Sequence, residues 1–321
     1  MIGIARAPGT CGELVQGKVN DVDFLITCPI DTYSTVKVEL NESGTIEAGR
    51  GLSKVRRAVS RVFEYLDRAG TGAVIKVRSE IPRGKGMASS TADIAAACAA
   101  AALALNSFLS PARIAEIALS IEPTDGIMFN GIMMFDHIRG SLCRKMGTAP
   151  KIDVILVDLG GTVNTVRFNA NKELNLLNSH KENEVKLALK KIEEALSTTG
   201  CETADAALIG EAATMSAFAN QKILFKPELE RLYKICREFG GIGVNVAHSG
   251  TIVGLLFQRG SFSSYNQIIN NLSQNSFRVL GTNRIINGGV EVLREGVGEK
   301  EWQQLDTFTG EIFGRLKKNT G

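Results

Sequence analysis

The segment from residue 89 to residue 106 constrains the fold more than any other, because it contains nine alanines and neither glycine nor proline. Alanine has the highest helix propensity of all residues, so the segment predicts a helix. Methyl side chains make such a helix thin, and neighbouring backbone can approach it closely. A β-prone stretch at residues 74–77 and a loop with two glycines come before it. The sequence therefore predicts a strand, a glycine loop and a closely packed helix in succession.

The loop before this helix has the properties of a phosphate-binding site. Gly84 and Gly86 allow tight turns that expose backbone N–H groups. The N-terminus of the following helix adds unpaired N–H groups and about half a unit of positive charge, and such a place binds phosphate. Lys85 adds a mobile cation between the two glycines.

The serines at the start of the helix have several possible uses. The hydroxyl groups of Ser89 and Ser90 can cap the helix, contact phosphate oxygens or ligate a magnesium ion carried by a nucleotide. Ser90 and Asp93 also have the spacing of a helix-capping pair. On loop composition alone, a plain strand-to-helix turn with a good cap explains the segment as well as a phosphate site does.

Two other nucleotide-binding motifs fit the sequence less well. Residues 12–18 match the GxxxxGK spacing of a P-loop, but Val19 stands where that loop requires Ser or Thr, and no helical pattern follows. In the loop that contains Gly84, Ser89 replaces the third glycine of the dinucleotide-binding spacing. Neither a P-loop nor a Rossmann site is therefore predicted.

The composition indicates a globular protein with two domains. A chain of 321 residues exceeds the usual size of one hydrophobic core, and 44% hydrophobic with 22% charged residues is an ordinary globular balance. A net charge of +3 gives no support for a nucleic-acid or membrane partner. The longest apolar run, residues 94–105, is too short to span a bilayer, and the start of the sequence does not resemble a signal peptide. The six cysteines form no CxxC pair, so we expect reduced thiols in the cytoplasm.

Strands and helices are mixed in both halves of the sequence, which predicts an α+β fold in two lobes. Two adjacent glycines at residues 160–161 interrupt the pattern, and we predict one domain at residues 1–162 and another at 163–321. The predicted strands are residues 2–5, 24–27, 33–40, 74–77, 132–136, 142–146, 152–157, 243–246, 251–257, 277–280 and 290–293. The predicted helices, besides the alanine-rich one, are residues 52–69, 111–120, 183–196, 203–220, 227–239 and 263–272.

Residues 82–90, Pro-Arg-Gly-Lys-Gly-Met-Ala-Ser-Ser, resemble the Pro-x-x-x-Gly-Leu-x-Ser-Ser loop of the GHMP kinases, which include galactokinase, homoserine kinase and mevalonate kinase. Residues 7–9 resemble the family's opening motif, and residues 246–251 resemble its late small-residue loop. The resemblance implies an ATP-dependent small-molecule kinase with a ribosomal protein S5 domain 2-like N-terminal domain and a ferredoxin-like C-terminal domain. The residues that it implies for ATP binding are Pro82, Arg83, Gly84, Lys85, Gly86, Met87, Ala88, Ser89, Ser90 and Thr91.

The opening motif narrows the resemblance to one group of the family. Residues 8–17, PGTCGELVQG, lack the Gly-Glu-His form of the sugar and mevalonate enzymes, so substrate contacts from those enzymes do not carry over. Together with residues 82–93 and 121–126, this motif is most similar to the bacterial L-threonine kinases associated with cobalamin synthesis and propanediol use. The resemblance implies that ATP phosphorylates L-threonine. A homoserine-like or mevalonate-like substrate, or a nucleotide-binding regulator without catalysis, remains an alternative.

Two carboxylates lie three residues apart in the segment Ile-Glu-Pro-Thr-Asp-Gly at residues 121–126. Phosphoryl transfer needs carboxylates that hold magnesium or accept the proton of the attacking hydroxyl group. By the resemblance, Glu122 holds Mg2+ together with Ser90, and Asp125 is the base. In the alternative interpretation Asp125 only shapes a turn, and Glu116 is a rival ligand for the metal.

The substrate-binding residues are predicted less directly. A free amino acid requires an anion and a cation near its hydroxyl group, and the opening motif and the late loop offer polar side chains for this purpose. The candidates are Thr10, Glu13, Gln16, His248 and Ser249. His137 and His180 have no sequence neighbour that suggests a metal, so we interpret them as structural or surface residues. The sequence does not predict an oligomeric state.

Overall fold

The computed structural model describes residues 1–163, 173–196, 205–261 and 265–293, together with Trp302. The strands are β1 (Ile2–Val19), β2 (Val22–Asn41), β3 (Ile46–Ala48), β4 (Gly72–Ser79), β5 (Ile132–Phe135), β6 (Cys143–Gly147), β7 (Ile152–Asp158), β8 (Gly243–Val246), β9 (Ile252–Gln258), β10 (Arg278–Arg284) and β11 (Glu291–Val292). The α-helices are α1 (Ser53–Tyr65), α2 (Ser89–Ala104), α3 (Pro111–Leu119), α4 (Leu174–Ser179), α5 (Glu182–Leu196), α6 (Ala206–Ala219), α7 (Leu229–Glu238) and α8 (Asn266–Gln274). A short 3-10 helix, Asn220–Lys222, follows α6.

β1 and β2 form one long antiparallel hairpin that is closed by a turn at Asn20 and Asp21. Both turn residues have positive φ, 51° and 62°, which Asn and Asp tolerate better than most residues. The three short strands predicted for this region are therefore wrong in their extent. Register shifts beside Gly9 and on both sides of Glu13 allow the strand to continue where glycines interrupt the sequence pattern.

The strands form one sheet in the order β10-β7-β9-β8-β1-β2-β4-β3. β11 pairs with β1, and β5 pairs with both β2 and β6. β7 precedes the predicted domain boundary, yet it pairs with β9 and β10 from the second half of the chain. Glu13 of β1 also pairs with Val246 of β8, which joins the β1–β2 hairpin to the strands of the second half.

The alanine-rich helix α2 lies directly on β1 and β2, and its other sides contact α1 and α3. It is consequently buried almost all round. A Cβ atom added to Gly3 of β1 would lie 2.0 Å from the carbonyl oxygen of Ala100, so no side chain fits between the strand and the helix. The close approach predicted from the alanine content is confirmed, and it fixes α2 relative to β1.

The helices of the second half pack on the other part of the sheet. α5 and α6 contact each other and β1, and α6 also contacts β8. A second hydrophobic core joins α7 and α8 to β9 through Leu229, Leu232, Phe257, Ile268 and Leu272. This part of the fold supports the loop between β8 and β9, which reaches back towards α2.

Most of the other predicted elements are confirmed, with ends that differ by a few residues. The helix predicted at residues 52–69 ends at Tyr65, shortly before Asp67 takes a positive φ of 54°. β3 and α4 were not predicted, because each is too short to show a pattern. Residues 203–204 and 263–264 of two predicted helices lie outside the described residues. Within the described ranges, no helix combines the length and the apolar composition that a membrane span requires.

Candidate active site

A cavity of about 700 Å³ lies in front of the N-terminus of α2. Its walls come from the loop before α2, the start of α1, the acidic turn after α3 and the loop between β8 and β9. The lining residues from the predicted nucleotide loop are Arg83, Gly84, Gly86, Met87, Ala88, Ser89, Ser90 and Thr91. The other predicted site residues in the lining are Glu13, Glu122, Asp125, His248 and Ser249. The fold thus brings most of the candidate residues to one place.

Backbone hydrogen bonds join the three sequence motifs around this cavity. In the opening motif, the N–H of Thr10 donates to the carbonyl oxygen of Met87 at 3.1 Å. In the late loop, the N–H of Thr251 donates to the carbonyl oxygen of Lys85 at 3.0 Å. Gly250 lies against the same carbonyl, since a Cβ atom there would be only 2.1 Å from it. The opening motif and the late loop therefore hold the glycine loop from two sides.

The N-terminus of α2 has no side-chain cap. Ala88, at the capping position, has a left-handed backbone with φ 57° and ψ 24°. Residues 89–91 line the cavity, so the first N–H groups of the helix are available to a ligand there. The capping pair predicted from Ser90 and Asp93 is wrong, because Asp93 accepts a hydrogen bond from the hydroxyl of Ser34 at 2.5 Å.

Glu122 is buried, and both of its carboxylate oxygens accept hydrogen bonds. The hydroxyl of Ser90 donates to Oε1, and the ammonium group of Lys54 donates to Oε2. Lys54 Nζ also lies 3.4 Å from Ser90 Oγ. The structure therefore joins the two residues that the sequence analysis assigned to a metal. The rival ligand Glu116 is exposed and pairs with Arg113 on α3.

Sequence reasoning missed Lys54. This residue is the second of α1, where it resembles any basic residue on the solvated face of a helix. It reaches the cavity because α1 packs against α2, and that contact depends on the tertiary structure. No local motif could have identified it.

Asp125 faces the same cavity from the turn after α3. The hydroxyl of Thr91 donates to Oδ2 of Asp125 at 3.5 Å and accepts from the Asp125 N–H at 3.4 Å. Burial, followed by the nearby charge of Glu122, raises the pKa of Asp125 to about 6. A carboxylate with such a pKa can accept a proton from a hydroxyl group near neutral pH.

Two histidines also line the cavity. The rings of His137 and His248 meet edge to face, with their centroids 4.9 Å apart. Burial lowers the pKa of His137 to about 4 and the pKa of His248 well below its ordinary value. Both rings are therefore neutral near pH 7. The interpretation of His137 as merely structural missed its place in the cavity, because it follows β5 without any recognisable motif.

Thr10 and Gln16, two candidates for the substrate, are buried beside the cavity without lining it. The side chain of Gln16 donates through Nε2 to the carbonyl oxygen of Val246 at 3.1 Å. Its Oε1 lies 2.9 Å from Nδ1 of His248. Gln16 therefore orients a lining residue and does not itself face the cavity.

Pro82 and Lys85 of the nucleotide loop also do not line the cavity. The ammonium group of Lys85 pairs with Oδ2 of Asp158 at 2.8 Å and donates to the carbonyl oxygen of Gly161 at 2.7 Å. Although burial opposes it, hydrogen bonds from Lys85 and Thr251 hold the pKa of Asp158 below its ordinary value. The interpretation of this lysine side chain as a mobile cation is therefore corrected: it anchors the loop to the end of β7.

Two family comparisons match this chain. The GHMP kinases N terminal domain matches residues 53–133, and the GHMP kinases C terminal matches residues 177–275. Together these matches cover more than half of the chain. The chain belongs to the GHMP kinase family. The resemblance to the GHMP kinases that the motifs indicated is confirmed, and the assignment as a small-molecule kinase is confirmed with it.

Two curated relatives of this GHMP kinase are L-threonine kinases. The protein from Citrobacter freundii is 35% identical over 258 residues, which cover 80% of this chain and 87% of that protein. The protein from Salmonella typhimurium strain LT2 is 35% identical over 259 residues, which cover 80% of this chain and 84% of that protein. The similarity extends well beyond the glycine loop.

Solved structures of other GHMP kinases have the same fold. A mevalonate kinase gives a TM-score of 0.69 at 16% identity, covering 88% of this chain and 99% of that chain. A homoserine kinase from Cytophaga hutchinsonii gives a TM-score of 0.68 at 15% identity, covering 91% of this chain and 97% of that chain. At these identities the likeness concerns the fold alone. The predicted two-domain fold of mixed α and β structure is confirmed.

The family uses ATP as its phosphate donor, and the cavity offers oxygen ligands for a metal ion that accompanies ATP. Within the described part of the chain, no group of three or more His, Cys, Asp or Glu side chains could hold a metal ion by itself. Ser90 and Glu122 nevertheless present a hydroxyl and a carboxylate in contact with each other. Mg2+ in kinases is typically bound by one or two carboxylates together with the phosphates of the nucleotide. The residues present therefore fit a magnesium ion that arrives with ATP.

Proposed function

We propose that this GHMP kinase transfers the γ-phosphoryl group of ATP to the hydroxyl group of L-threonine, giving ADP and O-phospho-L-threonine. The observation that carries the proposal is that Asp125, the Ser90–Glu122 pair and the N-terminus of α2 face one cavity. The 35% identity with L-threonine kinases over most of the chain supports the choice of substrate.

In this proposal, the phosphates of ATP bind to the glycine loop and the start of α2. Gly84 and Gly86 both have positive φ, which lets the loop turn and direct N–H groups towards a ligand. The uncapped N-terminus of α2 adds further N–H donors and the positive end of the helix dipole. These groups would hold the phosphates of the nucleotide through the backbone of the loop.

A metal ion and Lys54 would supply positive charge beside the loop. Ser90 and Glu122 would hold Mg2+, which would neutralise charge on the β- and γ-phosphates. Lys54 contacts both residues and adds a cation close to the phosphoryl group in transfer. This arrangement supplies the electrostatic stabilisation on which phosphoryl transfer depends.

Asp125 would accept the proton of the threonine hydroxyl group. The hydroxyl oxygen forms a bond to the γ-phosphorus while the bond between that phosphorus and the β,γ-bridging oxygen breaks, and ADP leaves. Because the pKa of Asp125 is about 6, most of this carboxyl is ionised above neutral pH and can act as the base.

The domain boundary, the cellular setting and the use of the product belong to the same proposal. Residues 1–162 and 163–321 would form the two domains, and the two family matches lie on either side of that boundary. The enzyme would work in the cytoplasm on a free amino acid. Its product would supply the aminopropanol linker of adenosylcobalamin, as the resemblance to the cobalamin-associated enzymes implies.

The test is ADP release by the purified protein with ATP, Mg2+ and a panel of L-threonine, homoserine, mevalonate and galactose. We expect release with L-threonine, together with the phosphorus NMR signal of a phosphate monoester. A strong preference for another member of the panel would overturn the choice of substrate. Tight ATP binding without ADP release on any of them would indicate a nucleotide-binding regulator instead.

A further inference from the structure

Glu13 of β1 lies in the wall of the cavity and is only 3% exposed. The pairing of β1 with β2 shifts register on both sides of it, and the neighbouring Gly12 has a φ of +101°. A Cβ atom at Gly12 would lie 2.6 Å from the carbonyl carbon of Val246, so the two strands are in backbone contact here. Irregularities of this kind redirect side chains and are frequent beside active sites.

The cavity contains more acidic than basic side chains, and Glu13 is one of the acids without a cation among the described residues. The charged lining residues are Glu13, Lys54, Arg83, Asp93, Glu122 and Asp125. Both cations are paired with acids, Lys54 with Glu122 and Arg83 with Asp93. Among the residues that the structure describes, the other two acids have no cationic partner. The cavity therefore has two carboxyl groups for which the protein supplies no positive charge.

The carboxyl group of Glu13 also lacks a hydrogen-bond donor. Its Oε2 atom is buried and has no partner among the described residues. Burial, with smaller contributions from Asp125 and Cys11, raises the pKa of Glu13 well above its ordinary value. A buried polar atom without a partner destabilises the folded protein. A ligand that brings a donor and a positive charge would offset that cost.

The histidines of the cavity do not supply the missing charge. The rings of His137 and His248 are neutral near pH 7, because burial lowers the pKa of each. Nδ1 of His137 is buried and, like Glu13 Oε2, has no partner in the described part of the chain. Since the described residues leave Glu13 without a cation, we expect the ligand to supply the positive charge.

We propose that Glu13 binds the charged amino group of the substrate and thereby selects an amino alcohol over a hydroxy acid or a polyol. Glu13 and Asp125 line the same cavity, so one small molecule can present an amino group to Glu13 and a hydroxyl group to Asp125. A 2-amino-3-hydroxy acid has this arrangement. The inference rests on the proposed function, because Asp125 marks the place of the reacting hydroxyl group.

The test compares the binding of L-threonine with that of (R)-3-hydroxybutyrate, which has the same carboxylate, methyl and hydroxyl groups but no amine. Affinities are measured by calorimetry on the full chain with Mg2+ and a non-hydrolysable ATP analogue. We expect threonine to bind about 100-fold more tightly, because the deaminated compound leaves a buried carboxyl unpaired. In Glu13→Gln, the affinity for threonine should fall by a similar factor, and that for 3-hydroxybutyrate should be unchanged or higher.

Glu13→Gln keeps the size of the side chain and breaks no hydrogen bond of Oε2, so its melting temperature should not fall. Glu47→Gln, at an exposed position of β3, is the matched control and should bind like the wild type. Unchanged discrimination in Glu13→Gln would overturn the inference. If that variant does not fold, the wild-type protein provides the test. Equal binding of threonine and 3-hydroxybutyrate overturns the inference. Binding of 1-amino-2-propanol in preference to 3-hydroxybutyrate supports it.

Measurements of ADP release distinguish a failure of this inference from a failure of the proposed function. Glu13-dependent binding of threonine without ADP release would reject the proposed reaction and retain the amino-group site. Threonine turnover with unchanged discrimination in Glu13→Gln would reject the site and retain the reaction.

Discussion

Lys54 and Glu122 are 68 residues apart in the sequence, yet the ammonium group of one contacts the carboxylate of the other at the wall of the cavity. Ser90 donates to the same carboxylate and lies 3.4 Å from the lysine nitrogen. The three side chains connect the starts of α1 and α2 with the acidic turn. A fixed cation at this position is suited to stabilise charge on a phosphoryl group.

Removal of the Lys54 charge should slow turnover strongly. We expect Lys54→Met to lower kcat/KM about 100-fold, because one preorganised positive charge is lost, and Lys54→Arg to retain part of the activity. Lys76→Met, at an exposed position of β4, is the matched control. Steady-state kinetics with ATP and threonine would measure the effect. Near-normal rates for Lys54→Met would mean that Lys54 only balances the charge of Glu122.

Loss of either proposed metal ligand should change the dependence on magnesium. We expect Ser90→Ala and Glu122→Gln to lower kcat and to raise the Mg2+ concentration for half-maximal rate at least about tenfold, since each removes an oxygen ligand. The rate is measured across a Mg2+ titration at saturating ATP. Ser273→Ala, at an exposed position of α8, should behave like the wild type. An unchanged Mg2+ dependence would remove Ser90 and Glu122 from the metal site.

The pH dependence of activity should report the ionisation of Asp125. Its raised pKa means that the carboxyl stays protonated, and unable to act as a base, up to a higher pH than an ordinary aspartate. We therefore expect kcat/KM to rise with pH through an apparent pKa of about 6 and to level off above it. Asp125→Asn should be much slower and should lack this rise, with ATP affinity unchanged. A small loss of rate with the rise intact would show that Asp125 only positions the hydroxyl group.

Gly250 should tolerate no side chain, because its backbone touches the carbonyl of Lys85. We expect Gly250→Ala to lower the free energy of unfolding by about 2 kcal/mol or more and to raise KM for ATP, as the late loop moves away from the glycine loop. Gly49→Ala is the control, since its Cβ atom would meet only Leu52 Cδ1 at 3.6 Å. Denaturant unfolding and ATP titrations measure the two effects. Equal behaviour of the two variants would show that the loop contact is dispensable.

Lys85 and Asp158 should act as one unit that anchors the glycine loop. We expect Lys85→Met and Asp158→Asn to lower stability by similar amounts, and the double variant to be little worse than either one. A double-mutant cycle on unfolding free energy should then give a coupling of about 1 kcal/mol or more. Additive losses, combined with a specific rise in KM for ATP in Lys85→Met, would instead support a direct contact between Lys85 and phosphate.

The sequence predicted the parts of the site that are local in the chain. Gly84, Gly86 and the alanine-rich helix predicted a tight loop that leads into a helix N-terminus, because turn chemistry and helix propensity act over a few residues. Lys54 and His137 could not be found in this way, since each reaches the cavity through packing between distant elements. The family resemblance supplied the late loop, which composition alone would have left as an ordinary strand connection.

The errors of sequence reasoning have physical causes as well. The long hairpin was divided into short strands, because Gly9 and similar residues look like breaks when the register shifts that accommodate them are unknown. The predicted capping pair is wrong because the helix already begins at Ser89, with Ala88 at the capping position, and Asp93 accepts from Ser34 instead. Both errors arise because the outcome depends on tertiary structure that a local pattern does not show.

The contact between Gly3 and the backbone of α2 at Ala100 leaves nothing adjustable between β1 and the helix whose N-terminus lines the cavity. Main-chain atoms cannot repack as rotamers do, so a change there would shift a whole helix. Other parts of the cavity wall consist of individual side chains, such as those of Glu13 and His137, that can be exchanged one at a time. A redesign for a new acceptor molecule could therefore vary these side chains and leave α2 in place.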